Sequence, residues 1–204
     1  GGSGTFYFIG DWNGKEFIPD SVEMRWLDYG RDNYAGVTFN EAPDDRKIYL
    51  GWMNNWEYAD KIPANPYRGA MTVPRELTLV TRGSEIHLLQ KPVKELVTTS
   101  VLDYTFVIKP TSGKSGSRFS RSDGSSVVVG YDADTKMIYL DRTEMWFDFS
   151  TARIESAPYD WQGAEFEVRV IIDSSSIETF VSGGQVCVTD LLAPGEIPSV
   201  ITAF

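Results

Sequence analysis

Polar and apolar residues alternate with a period of two over most of the chain, and turn residues interrupt the alternation at short intervals. That period puts successive side chains on opposite faces of a strand and predicts an all-β protein. No stretch carries the 3.6-residue period of an amphipathic helix. Thr5 to Ile9 reads as a strand, and Asn13-Gly14 just after it is a strong hairpin signal. Tyr34 to Phe39 and Lys47 to Met53 form a second pair, joined through Pro43, Asp44 and Asp45. Met71 to Val80 and Glu85 to Gln90 form a third, around Arg82-Gly83.

Lys91 to Leu96 reads as a junction, which divides the chain into residues 1–92 and 93–204. Beyond it tryptophan becomes rarer and the alternation more regular. Leu102 to Lys109, Ser126 to Tyr131, Lys136 to Asp141, Phe166 to Asp173, Ser176 to Val181 and Gln185 to Thr189 read as strands. Close turns such as Asp132-Ala133-Asp134 and Ser182-Gly183-Gly184 separate them, a spacing that suggests a β-sandwich. The Ser/Gly-rich stretch Ser112 to Ser125 is expected to be a long loop. The three hairpins before the junction have the form of propeller-blade hairpins.

Length and composition narrow this further. At 204 residues with 42% hydrophobic content the chain can bury a substantial core. The formal net charge of −10 repels phosphate, so nucleic acid and anionic membranes are poor partners, whereas a neutral sugar is not repelled. Cys187 is the only cysteine, which rules out an intramolecular disulfide, and its place between Val186 and Val188 predicts a buried thiol. No apolar run approaches the roughly 20 residues that span a bilayer. No signal peptide opens the chain, and Gly1-Gly2-Ser3-Gly4 reads as a tag remnant or a loop of a longer protein. The compartment is therefore unassigned.

Chemistry is limited by what is scarce. His87 is the only histidine and lies in a strand-like run, Glu85 to Leu89, with no nucleophile elbow beside it. One His and one Cys do not make an ordinary zinc site, and Asp132-Ala133-Asp134 lacks the rest of a calcium loop. No metal or cofactor is expected. Carboxylates beside aromatic rings remain. Trp26-Leu27-Asp28-Tyr29-Gly30-Arg31-Asp32-Asn33-Tyr34 and Gly51-Trp52-Met53-Asn54-Asn55-Trp56 offer flat faces for sugar C–H groups and polar groups for hydroxyls. A Trp/Tyr-rich sheet core with turn aspartates explains the same composition equally well.

These residues also carry a family resemblance. Leu27 to Phe39 resembles a late catalytic-domain motif of glycoside hydrolase family 32, the family of invertases, levanases and inulinases. Gly51 to Ala59 and Arg68 to Leu77 are similar to the family's next two blocks, and Gly1 to Gly14 fits ahead of them. Tyr139-Leu140-Asp141-Arg142-Thr143 and Asp173 to Phe180 are similar to its C-terminal sandwich. The resemblance implies the late blades of a five-bladed β-propeller followed by a β-sandwich.

It also implies an absence. The family's nucleophile lies in a Trp-x-Asn-Asp-Pro-x-Gly block, its transition-state Asp in Arg-Asp-Pro and its acid/base in Glu-Cys. None occurs here: Arg31-Asp32 is followed by Asn33, and Cys187 is preceded by Val186. No catalytic residue is therefore expected in this chain, which resembles the C-terminal part of such an enzyme and should be inactive alone. By the resemblance, the substrate-contacting candidates are Asp28, Tyr29, Trp52, Asn54 and Asn55. The implied partners are a fructose-containing saccharide and the missing half of the propeller or a second chain, which leaves room for a homo-oligomer. Two other readings stay open. The sandwich could bind carbohydrate through its own rings (Tyr131, Tyr139, Trp146, Tyr159, Trp161), or it could be a structural or dimerisation module.

Overall fold

The computed structural model describes residues 3–63, 68–145 and 152–204. Its N-terminal strands are β1 (Phe6–Tyr7), β2 (Gly10–Trp12), β3 (Phe17–Pro19), β4 (Arg25–Trp26), β5 (Tyr34–Thr38), β6 (Lys47–Met53), β7 (Ala70–Met71), β8 (Arg75–Arg82) and β9 (Glu85–Pro92). β5, β6, β8 and β9 pair in that order as an antiparallel blade, with β7 alongside β6. β2 and β3 form the hairpin signalled by Asn13-Gly14, and the Asn13 side chain accepts the Lys15 and Glu16 amides in its turn. The expected strand Thr5 to Ile9 shrinks to two residues and pairs with β4 rather than with its neighbour in sequence. No closed propeller ring is formed by the described residues.

The remaining strands are β10 (Leu102–Ile108), β11 (Lys114–Ser120), β12 (Ser126–Asp132), β13 (Met137–Asp141), β14 (Ile154–Pro158), β15 (Phe166–Ile172), β16 (Ser176–Val181), β17 (Val186–Leu191) and β18 (Val200–Ala203). They make two antiparallel sheets, β10-β15-β16-β17 and β14-β13-β12-β11-β18. Val168, Val170, Ile177, Val181 and Val188 of one sheet and Phe119, Val127, Val129, Ile138 and Leu140 of the other share one buried core. The result is the sandwich that the alternation predicts. Trp146 lies outside the described residues.

The stretch Ser112 to Ser125 is not a loop. Its residues 114–120 form β11, which sits between β12 and β18. Phe119 is its only large apolar residue, so alternation had little to register. The small residues have a packing reason. Gly116 faces Gly130 across the pair, and a Cβ on Gly130 would fall 2.6 Å from the Tyr139 ring. The ring occupies the space that a larger strand residue would need.

β16 and β17 are buried along their whole length. One face of each enters the sandwich core. The other face carries Phe180 and Cys187, which pack with Ile171 against Val73, Leu96 and Val101, and Leu191, which packs against Met53, Tyr58 and Ile62. A sheet covered on both sides needs apolar residues on both sides, which is why these strands do not alternate cleanly. The N-terminal blade is the cover, and the site lies along this seam.

Candidate functional site

Among the described residues β17 is the last strand of its sheet, and one of its edges has no strand partner. Residues 28–32 run along that edge instead. The Tyr29 amide donates to the Cys187 carbonyl at 2.9 Å and the Asp32 amide to the Thr189 carbonyl at 3.1 Å. In return the Thr189 amide donates to Asp28 Oδ1 at 2.8 Å and the Leu191 amide to Asp32 Oδ2 at 2.8 Å. Two carboxylates thus take the acceptor places of a neighbouring strand, and the exposed-edge problem is solved from outside the sandwich.

Close approach depends on Gly30. A Cβ there would lie 2.1 Å from the Thr189 carbonyl oxygen and 2.3 Å from its amide nitrogen. Both are backbone atoms of a buried strand and cannot swing aside. Gly30→Ala should therefore lift the loop off β17 and cost about 1–3 kcal/mol, as overpacking does. A lowered urea midpoint checks this; an unchanged midpoint contradicts the packing.

Two buried ionic networks fasten the seam. In the first, Arg75 is completely buried and pairs with Asp28 at 2.9 Å and Glu178 at 2.7 Å. It also donates to Gln90 at 3.2 Å and to the Thr189 hydroxyl at 2.6 Å, and it lies 5.0 Å from the centre of the Phe180 ring. Asp28 accepts five hydrogen bonds, from Gly30, Asn33, Arg75 and, twice, Thr189. Asn33 in turn accepts the Tyr49 hydroxyl at 2.6 Å. Burial pushes the Glu178 carboxyl above the ordinary range, against the pull of Arg75.

The second network centres on Arg142, also completely buried. Asp190 lies 3.0 Å, Asp32 3.5 Å and Glu155 3.7 Å from its guanidinium nitrogens. Arg31 adds a bond to Glu155 at 2.7 Å and one to Glu57 at 2.9 Å, and the Tyr58 hydroxyl donates to Asp32 at 2.6 Å. Burial raises the Asp32, Asp190 and Glu155 carboxyls above their usual values, Asp190 most clearly. Four acids, Asp32, Glu57, Glu155 and Asp190, meet two cations, so negative charge is in surplus, which adds to the upward push of burial.

The candidates from the sequence distribute unevenly. Asp28, Tyr29 and Asn55 border one cavity of about 350 Å³, together with Ser3, Trp26, Arg31 and Glu155. Trp52 lies elsewhere, in a ring cluster with Tyr34 at 6.4 Å and the exposed Trp56 at 5.0 Å. Asn54 is buried, and its side chain accepts the Asn55 amide. Asn55 ties the Ser3 backbone to the Arg31 carbonyl. His87 is half-buried on β9, and Cys187 is buried, which pushes its thiol up.

Arg75, Arg142, Glu178 and Asp190 escaped the sequence reading. A signal was present: Glu178 and Asp190 are each the single charged residue of a strand otherwise made of apolar and hydroxyl side chains, and a charge in such a run is buried only with a partner.

Two family models match the chain: the glycosyl hydrolases family 32 N-terminal domain over residues 1–92, and the glycosyl hydrolases family 32 C terminal over residues 71–204. A levanase of Bacillus subtilis (strain 168) is 35% identical over 231 residues, covering 95% of this chain and 34% of the relative. An extracellular exo-inulinase of Aspergillus awamori is 31% identical over 234 residues, covering 95% and 43%. The chain thus spans between a third and a half of the length of these relatives. The crystal structure of the Aspergillus awamori exo-inulinase superposes with a TM-score of 0.82 at 27% identity, over 98% of this chain and 46% of that one. Fructan 1-exohydrolase IIa from Cichorium intybus gives 0.75 at 18% identity over 99% and 52%, a likeness of fold alone.

Proposed function

Because the chain belongs to glycosyl hydrolase family 32, we propose that it is the C-terminal portion of a β-fructosidase, an enzyme that hydrolyses terminal fructosyl bonds in sucrose, levan or inulin. The observation that carries this is the match to a levanase and an exo-inulinase over 95% of the chain. In the retaining scheme the fructosyl group passes first to a carboxylate and then to water. The blocks expected to hold that nucleophile and the acid/base are not among these 204 residues. The chain supplies one wall and its support. The proposed division into residues 1–92 and 93–204 follows the end of β9 at Pro92.

Within that wall Trp52 offers a flat ring face in its own ring cluster, and Tyr29 and Asn55 border the separate cavity of about 350 Å³. Asp28 and Asn54 have their acceptor oxygens committed within the chain, so they act as positioning residues that hold the turns carrying the others. The exposed apolar side chains of the N-terminal strands, among them Trp12, Ile18, Val37, Phe39, Met71 and Leu79, dock the remainder of the propeller; a second copy of the chain is the alternative occupant.

The test is an assay of sucrose, levan and inulin hydrolysis by the 204-residue chain, with the full-length enzyme as control. The chain is expected to show no turnover, and family-typical turnover would overturn the assignment of its roles. In the full-length enzyme Asp28→Asn should lower kcat and move the pH optimum, since the loop it fixes borders the site. An unchanged pH–rate profile would reduce Asp28 to a purely structural part.

A stand-alone carbohydrate-binding module is the weaker reading. Tyr131 and Tyr159 are buried in the sandwich core. The outer face of β16 and β17 carries Glu178 and Thr189 into the first network, so the sandwich does not present a finished surface of its own.

A further inference from the structure

A second cavity of about 400 Å³ opens along the same seam, between β4 and the chain that joins β14 to β15. Trp26 and Tyr29 stand on its N-terminal wall and Trp161 on its sandwich wall. Trp26 is 46% exposed although it is a tryptophan, so its ring is open for contact. Trp161 is half-buried and stacks on Tyr159 at 5.7 Å with 15° between the planes. The Tyr159 hydroxyl is engaged with Ser182 at 2.6 Å, which fixes that ring as a rigid backing. Polar groups line the groove between the rings: the Gln185 amide lies 3.5 Å from His87 Nδ1, and His87 Nε2 lies 3.6 Å from Glu85.

From this arrangement we infer that the groove is a second carbohydrate site, separate from the Trp52 ring cluster and adjoining the first cavity through Trp26 and Tyr29, that takes a distal stretch of a neutral oligosaccharide chain. The chemistry is specific in three ways. Indole rings on opposing walls suit the C–H faces of sugar rings. An amide, an imidazole and a carboxylate in a row supply donors and acceptors for hydroxyls. Glu23, Glu85 and Asp160 around the rim outnumber the one cation there, Arg25, so phosphorylated or sulfated ligands are disfavoured. That the chain is a β-fructan rests on the function proposed above; the existence of the site does not. Such a site would hold a polymer while its terminal residue is processed elsewhere, raising the effective concentration of chain ends.

The experiment is calorimetric titration of the 204-residue chain with inulin-type and levan-type oligosaccharides, and with malto-oligosaccharides for comparison. Saturable binding of the fructans is expected. Trp161→Ala should weaken it about tenfold or more, a loss of about 1.4 kcal/mol, while Trp161→Phe retains it. Should Trp161→Ala fail to fold by its melting curve, Gln185→Ala reads the same groove without removing a packed ring. Fructan binding that survives Trp161→Ala and Gln185→Ala but vanishes in Trp52→Ala would overturn the groove site and leave the β-fructosidase reading intact. Equal binding of malto-oligosaccharides would keep the site and overturn the fructan assignment. No binding of any oligosaccharide would overturn the proposal outright.

Discussion

Arg75→Ala is expected to cost about 3–5 kcal/mol of stability, the loss typical when one partner of a buried ion pair is removed. The side chain is completely buried and answers two carboxylates at once, Asp28 and Glu178. Without it both would face each other across a dry interface. One or both would take a proton, and Thr189 and Gln90 would lose a donor. For a protein with a total stability of about 5–15 kcal/mol this is a large fraction. Arg75→Lys should recover little, because a single ammonium does not reproduce a fork that reaches four partners. A double substitution, Arg75→Met with Glu178→Leu, should recover more than either alone, since it removes a charge on each side of the seam. Urea unfolding of the unsubstituted chain, Arg75→Ala, Arg75→Lys, Arg75→Met, Glu178→Leu and the double substitution checks the series. A loss below about 1 kcal/mol for Arg75→Ala would place the pair in the class of surface salt bridges and contradict its burial.

Stability should also fall as pH rises above the ordinary carboxyl range. Asp32, Asp190, Glu155 and Glu178 are all raised in the folded chain, with burial the largest cause in each. In the unfolded chain they return to about 3.9 for Asp and 4.3 for Glu. Between those values and the raised ones the folded state binds more protons, so raising pH through that window removes stability. The exposed Glu95, Asp123 and Glu196 are held below the usual range by hydrogen bonds and act in the opposite sense, losing their contribution as pH falls through the acid side. The curve is therefore a dome, falling on the acid side through the lowered carboxyls and on the side of higher pH through the raised ones. Asp190 is the group to remove. One of its oxygens is buried with no hydrogen-bond partner among the described residues, which favours the neutral carboxyl. Asp190→Asn should flatten the high-pH side of the dome. Urea midpoints across a pH series measure it, and a stability that climbs steadily towards neutral pH would contradict the raised carboxyls.

Much of the fold was legible in local pattern, because alternation is a local property. The pair β5–β6 and the strand β15 follow from it directly, while the hairpin at Asn13-Gly14 and the strands β16 and β17 were bounded by their turn residues. β11 was not legible, because Gly116 and Ser117 pack by smallness and Phe119 alone is large and apolar, which leaves no alternation to read. The short strands β14 and β18 owe their existence to the neighbours they join, β13 and β11. The aromatic and acidic stretch from Trp26 to Trp56 stood out from composition, as did the presence of Asp28 within it. Its meaning did not. Asp28 is completed by Arg75, Glu178 and Thr189, residues that no window around Asp28 contains. Asp32 finds Arg142 and Leu191 in the same way.

The strip at residues 28–32 also sets an order of events during synthesis. The residues that Asp28 and Asp32 meet on β17 lie 161 and 159 positions later in the chain. At about 5–20 residues per second a ribosome needs roughly 8–30 s to produce them. Throughout that interval the strip is finished while the strand it must border does not yet exist. Arg75, 47 residues after Asp28, is made early enough to neutralise one of the two acids first. The sandwich strands are thus made after the strip that borders β17, and that strip, tethered to the same chain, is nearer to them than another copy's open edge.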